Sequence, residues 1–224
     1  MRTFKGFLNE AKEKSCTFTF GRFNPPTTGH EKLVKKLMSV GKGTEVLLFS
    51  SHSNDKRKNP LTHKDKVKYL KKFFGRIVVD ANVRTVFEIC NFLQEKKYVN
   101  VNMVVGSDRV KEFEALITKY NGVKARHGYY NFKNINIISA GERDPDADDV
   151  SGMSASKMRQ FAEDGDFEGF KDGVPSKGKN LAKKLYDDIR KGMGINEGNL
   201  PQYMIEDLIT EGVYDPGIFK AVFL

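Results

Sequence analysis

The sequence predicts an α/β fold in which a doubly wound parallel sheet is followed by a small, mostly helical extension. Short runs rich in aromatic and β-branched residues alternate with segments of helical period, and such alternation builds βαβ units whose parallel sheet is covered on both faces. One joint between strand and helix, from Phe20 to His30, is suited to holding an anion. A length of 224 residues leaves room for one such domain with an appendage, or for two small ones, and for a buried core.

The elements follow in order. Residues 1–14 form an amphipathic segment carrying Phe4, Phe7, Leu8 and Ala11. Cys16 to Phe20 alternates with the period of a strand. Pro25 and Pro26 then forbid an early helix start, and the Thr27-Thr28 pair offers capping hydroxyls to a helix from Gly29 to Val40. An apolar strand, Val46 to Phe49, leads through the polar loop Ser50 to Pro60 into a helix from His63 to Phe74. A strand at Ile77–Val79, a helix from Val83 to Lys96, a strand Val101–Val105, a helix Arg109 to Tyr120 and a strand Ile135–Ile138 complete the sheet. In such sheets the ligand sits beyond the carboxyl ends of the strands, at the switch point of the winding.

Charged residues make up 30% of the chain and hydrophobic ones 39%, ordinary for a soluble protein. No apolar run is long enough to cross a bilayer, and Met1-Arg2-Thr3-Phe4 opens no signal-peptide pattern, so the expected location is cytoplasmic. Cys16 and Cys90 lie in apolar contexts and read as small buried hydrophobes, neither a disulfide nor a metal pair. The net charge of +9 has its densest block in Lys56-Arg57-Lys58 and the lysines from Lys64 to Lys72. Nucleic acid attracts such a chain, but a substrate with several phosphates explains a positive cleft equally well. The absence of zinc spacing, a basic zipper or an RNA-binding aromatic motif favours the small molecule over nucleic acid.

Two segments carry the chemistry. At the first, Gly21 permits a tight exit from the strand, and His30 sits in the first turn of the following helix. Unpaired N–H groups and the positive end of the dipole attract anions there, and an imidazole beside them can donate to a phosphate oxygen. At the second, Ser151 to Arg159, Ser154 can cap a helix that continues through Met158 and Phe161, Ser156 adds a hydroxyl, and Lys157 and Arg159 add cations. Cations at a helix N-terminus oppose the macrodipole, a mismatch that a bound phosphate relieves.

Gly21, Phe23, Pro25, Thr27, Gly29 and His30 resemble the (His/Thr)-x-Gly-His signature of the nucleotidyltransferase superfamily, and Met153 to Arg159 resembles its Ile-Ser-x-Thr-x-Ile-Arg signature, with Ser156 for threonine and Met153 and Met158 for isoleucines. Ser51-His52 followed by Asn59-Pro60-Leu61-Thr62 is similar to the loop after the second strand in nicotinamide-mononucleotide adenylyltransferases. Gly106-Ser107-Asp108 is similar to the Gly-x-Asp that contacts the nucleotide's sugar or base. Resemblance spans residues 16–175 and is closest to the adenylyltransferase-like and cytidylyltransferase-like branch, including nucleotidyltransferases of tailed phages, for which the location would be the host cytoplasm.

The resemblance implies a Rossmann-like domain over residues 15–175 that transfers a nucleoside monophosphate, AMP from ATP before CMP from CTP, to a phosphorylated acceptor such as nicotinamide mononucleotide. It implies direct attack and release of pyrophosphate. The implied catalytic residues are His30, Thr27, Lys157 and Arg159. Gly21, Arg22, Phe23, Asn24, Gly29, Gly106, Asp108, Met153, Ser154 and Ser156, again with Arg159, are the implied nucleotide contacts. Mg²⁺ would bridge the triphosphate, since no carboxylate cluster has obvious metal spacing. The chain has no tryptophan to stack a pyridine ring, and Arg126 to Tyr130 with the acidic loop Gly141 to Asp149 precede the second signature as possible acceptor contacts. A nucleotide sensor, favoured by Thr27 where many relatives carry a second histidine, and a structural role in a viral complex are the competing classes; a homo-oligomer is compatible with each.

Beyond Pro175, residues 176–224 are expected to form a helical extension. Leu181, Leu185 and Ile189 mark an amphipathic helix, Gly192 to Asn199 a flexible linker, and Tyr203 to Ile209 a further helix. The apolar run Ile218 to Leu224 resembles the strand before a kinase phosphate loop, without the loop or its lysine. It points to a longer parent chain or to a strand docked on the sheet or a partner.

Overall fold

The computed structural model describes residues 13–141 and 153–195. Four strands form an all-parallel sheet in the order β2-β1-β3-β4, with β1 at Ser15–Gly21, β2 at Glu45–Ser50, β3 at Asn100–Val105 and β4 at Asn134–Ser139. Phe18 faces Leu47 on one side and Met103 on the other, and Met103 faces Ile137. Beyond β2 the chain adds one parallel bridge, Leu48 with Val78, supported by Val79 N donating to Leu48 O at 2.9 Å. The strand expected at Ile77–Val79 is thus reduced to one rung, because a 3-10 turn at Gly75–Ile77 occupies its start.

The helices are α1 (Thr28–Val40), α2 (His63–Phe74), α3 (Val86–Glu95), α4 (Val110–Tyr120), α5 (Ala155–Asp164), α6 (Phe167–Asp172) and α7 (Ala182–Met193). Strand period decides which core each residue joins. Cys16, Phe18, Val101, Met103 and Val105 face α3 and α4, meeting Ile89, Leu93, Phe113 and Ile117. On the opposite face Leu48 and Val104 pack with Leu33, Val34 and Leu37 of α1 and Val67 and Leu70 of α2. Cys16 and Cys90 are fully buried and free, and burial pushes both thiols up to about 12, so neither supplies a thiolate.

A third cluster joins Tyr69 and Phe73 of α2 to Met158, Phe170, Leu185 and Ile189 of α5, α6 and α7. The second signature is therefore held against α2 by the helices that follow it. α7 runs through Gly192, where the sequence suggests a linker, and ends on Gly194 at φ 83°. Gly192 lies against the Pro60 turn so closely that a Cβ would stand 2.2 Å from the Pro60 carbonyl oxygen. The expected helix at Tyr203–Ile209 and the terminal apolar run lie outside the described residues, as do residues 1–12.

Because that contact is with backbone, Gly192→Ala is expected to destabilise the fold by about 2 kcal/mol through overpacking. Urea unfolding followed by circular dichroism checks it.

Candidate active site

The winding reverses between β1 and β3, so the crevice opens at their carboxyl ends, at Gly21 and at Val105-Gly106. The first signature leaves β1 through Phe23, whose φ of 46° is rare for an aromatic residue. Its ring is fully buried and supports the His30 imidazole, with centroids 4.8 Å apart. Gly21 makes room for it, since a Cβ there would sit 3.0 Å from the Phe23 ring.

His30 is fixed by a reciprocal capping box. The Thr27 hydroxyl accepts from His30 N at 3.2 Å, and Thr27 N donates to His30 Nδ1 at 3.1 Å. The hydroxyl also stands 3.0 Å from Nδ1. With Nδ1 accepting, the neutral ring carries its proton on Nε2. Thr27 is buried, and its hydroxyl is engaged in orienting His30 instead of facing a ligand.

Asn24 joins three segments. It is 1% exposed; its Nδ2 donates to Leu61 O and its Oδ1 accepts from Leu61 N, both at 3.0 Å, so the side chain pairs with the Leu61 backbone as a strand would. Its carbonyl accepts from Arg159 Nη1 at 2.7 Å, while Arg159 Nη2 donates to Ser156 Oγ at 3.1 Å. Gly29 lies beneath the second signature, where a Cβ would meet Met153 O at 2.9 Å. Both signatures thus meet over the crevice.

The structure narrows where an anion finds amides. At α1, Thr28 N donates to Gly173 O at 2.8 Å and His30 N to the Thr27 hydroxyl, which leaves Gly29 as the first-turn amide outside the cap. At α5, Lys157 N is capped by Ser154 Oγ at 3.1 Å and the first intrahelical bond is Met158 N to Ser154 O, so the amides of Ala155 and Ser156 come before it. Charge is concentrated at the same place. Burial, and next the neighbouring Arg22 cation, holds the Arg159 guanidinium below its ordinary pKa, with Asp55 opposing. Two guanidiniums drawn together at a helix N-terminus are relieved by an anion.

The remaining predicted residues are placed as follows. Arg22, Lys157, Ser154 and Ser156 are exposed at this mouth. Gly106 is half-buried and accepts from Arg109 N through its carbonyl at 3.0 Å, with Asp108 exposed beside it. The Met153 side chain belongs to the α2–α7 cluster, and Phe23 and Asn24 are internal supports, so none of these three side chains is turned to a ligand. Arg126 and His127 line an open surface depression of about 400 Å³ with Thr85, Phe87 and Glu88, beside Tyr120 at the last residue of α4, and neither meets the two signatures among the described contacts. His127 stacks on Phe87 at 4.4 Å, and its Nε2 is buried without a hydrogen-bond partner. From the acidic loop, residues 142–149 lie outside the described residues. Among the described residues no three His, Cys, Asp or Glu side chains converge on a common point.

The profile of the cytidylyltransferase-like family matches residues 18–161, more than half of the chain and including both signatures. The chain belongs to the cytidylyltransferase-like family. The resemblance drawn from the two signatures is borne out at that level. No curated protein matches the chain. Among solved structures it is similar to a Vibrio parahaemolyticus protein assigned as a nicotinate-nucleotide adenylyltransferase, at 14% identity and a TM-score of 0.47, over 76% of this chain and 99% of that one. It is also similar to the Plasmodium falciparum nicotinic acid mononucleotide adenylyltransferase complexed with NaAD, at 15% identity and a TM-score of 0.49, over 78% of this chain and 98% of that one. Likeness at this level says nothing about the substrate of this chain.

Sequence reasoning missed the Asn24–Leu61 pairing and the lysine at position 66. The first has no local signal, since its partners are 37 residues apart. The second has one: Lys66 sits on the same helical stripe as Val67, Leu70 and Phe73, where a cation is out of place.

Asn24→Ala leaves both Leu61 backbone groups unpaired and is expected to cost about 2 kcal/mol. Denaturant unfolding measures the cost.

Proposed function

We propose that this family member moves a nucleoside monophosphate, AMP from ATP before CMP from CTP, onto a phosphorylated small molecule such as nicotinamide mononucleotide. An acceptor phosphate oxygen attacks the α-phosphorus, the bond to the β-phosphate bridging oxygen breaks, and its electron pair leaves with pyrophosphate. What supports this is the convergence of Arg22 and Arg159 with the amide end of α5 beside the fixed His30 ring.

In this reading His30 donates from Nε2 to the α-phosphate as charge builds, and transfers no proton. Thr27 is a positioning residue for that ring. Arg159, Lys157, Ser154 and Ser156, with the Ala155 and Ser156 amides, hold the β- and γ-phosphates, while Arg22 and the Gly29 amide face the α-phosphate. Pre-aimed donors and cations stabilise the leaving pyrophosphate without reorganising, and catalysis is positioning plus charge neutralisation. Gly106 and Asp108 take the nucleoside. Nicotinamide mononucleotide heads the acceptors because Ser51-His52 and Asn59 to Thr62 resemble the loop after the second strand in its adenylyltransferases.

Pyrophosphate release is measured with ATP and then CTP over a panel of phosphorylated acceptors. His30→Ala is expected to lower turnover by about 100-fold or more, with the fold retained but about 1 kcal/mol less stable because Thr27 N loses its acceptor in the capping box. Thr27→Ala is expected to lose about 1 kcal/mol of stability with its cap and about tenfold in turnover as the ring loses its orientation. ATP binding without release for any acceptor would replace the enzyme reading with a nucleotide sensor.

A further inference from the structure

Charge is divided unevenly between the two faces of the sheet. α1 and α2, which cover the face carrying Leu48 and Val104, hold eight lysines against two carboxylates. α3 and α4, on the other face, hold two lysines against four carboxylates. Most of the chain's net charge of +9 therefore lies on one side. Lys66 is buried and spent on the Ser51 and Ser53 carbonyls, at 2.5 and 3.2 Å. The other lysines of α1 and α2 are exposed, and among them Lys35 pairs with Glu31 at 3.3 Å and Lys71 with Asp80 at 2.8 Å. Lys32 and Lys36 of α1, and Lys64, Lys68 and Lys72 of α2, have no hydrogen bond or ion pair among the described residues. Each set recurs every four residues and so forms one stripe along its helix, where like charges repel. Ser176 N donates to Glu31 at 3.0 Å and Gly178 lies against the Phe73 ring, so the exposed Lys177 between them joins the two stripes.

We propose that the outer face of α1 and α2 docks a nucleic-acid duplex through its phosphate backbone, apart from the crevice and without reading sequence. Helices that join parallel strands run back from the carboxyl ends of the sheet, so Lys36 and Lys72 lie away from the crevice mouth. Lys64 to Lys72 covers about 12 Å of helix, and a duplex backbone, with phosphates about 3.4 Å apart per strand along its axis, offers a partner to each lysine where one nucleotide does not. Lysine is a point charge without the rigid fork that arginine brings to a guanine edge, which suits backbone contact. A bilayer fits this face poorly, because the apolar sides of both helices, with Leu33, Leu37, Val67 and Leu70, are inside the core and cannot enter lipid. An unpaired strand fits poorly too. Among the described residues Met38 is the large hydrophobic side chain exposed on α1 and α2, and no aromatic ring is exposed there to stack a base.

Fluorescence anisotropy of a short labelled DNA duplex, titrated with the full chain over a series of salt concentrations, tests the docking face. Log affinity is expected to fall linearly with log salt, by about 0.9 per phosphate neutralised and roughly 5 for six lysines. Lys64→Gln, Lys68→Gln and Lys72→Gln together keep helix propensity. They are expected to weaken binding about tenfold or more at low salt and to make the slope shallower by about 3, while circular dichroism shows the fold retained. Lys111→Gln, Lys119→Gln and Lys124→Gln together remove the same charge from elsewhere and are expected to change affinity far less. Equal losses in the two triple variants would overturn the docking face in favour of bulk net charge. Absence of duplex binding at low salt, or tighter binding of a single strand or of phosphatidylserine vesicles, would also overturn it. Loss of binding in Arg22→Gln but not in the α2 variant would put the duplex in the crevice and overturn it likewise. Each of these outcomes leaves the transferase reading to be decided by pyrophosphate release.

Discussion

The pairing of Asn24 with the Leu61 backbone is the constraint on which the crevice depends. It is a buried amide that behaves as a short piece of sheet, tying the exit of β1 to the entry of α2. Because both side-chain polar atoms are satisfied, the Asn24 carbonyl is held rigidly enough to receive Arg159 from a segment 135 residues away. Arg159 then passes the restraint to Ser156 and so to the amide end of α5. Buried networks of this kind specify one arrangement when every member is satisfied, and cost heavily when one is removed.

The same region tolerates charges that folding opposes. Moving the Lys66 pKa from its ordinary 10.5 to about 8 corresponds to roughly 3 kcal/mol against the charged form. Arg159 is shifted in the same direction by burial and by Arg22. Domains of this size are stable by only about 5 to 15 kcal/mol, so two such cations near one crevice are a large concession. Elsewhere most described ion pairs are exposed surface contacts, such as Lys71 with Asp80, that contribute little. Both costly charges border the exit of β1, Lys66 through Ser51 and Arg159 through Asn24.

Legibility in the sequence followed the range of the interaction. The α2 boundaries and four of the five strands were readable because period and capping act within a few residues; Thr62 caps α2 by accepting from Asp65 N as its position suggests. The strand at Ile77–Val79 shrank to a single rung because the preceding turn, a local feature of Gly75, competes with extension. The residues of the two signatures were identifiable, but their division of labour was not. Whether Phe23 and Asn24 face a ligand or support the residues that do depends on Leu61 and His30 being packed against them, and no local pattern encodes that. Lys66 was visible as a polar break in an apolar stripe, and only its carbonyl partners gave the break a meaning.

Thr27 shows how a substitution can move charge without losing geometry. A histidine at this position would bring a possible cation but a poorer cap, since short oxygen side chains satisfy first-turn amides best. Threonine accepts from His30 N and has its own amide on Nδ1, so the remaining imidazole is held in one tautomer and one orientation. The positive charge then has to come from side chains that reach in from elsewhere. Arg22 from the same loop and Arg159 from α5 do so, and the burial of the Arg159 guanidinium and its repulsion by Arg22, which together lower its pKa, are tolerable because the Asn24 carbonyl and the Ser156 hydroxyl hold the guanidinium in place. The cost of exchanging an imidazole for a hydroxyl is thereby displaced onto Asn24, which ties the fixed ring and the displaced charge to the same backbone.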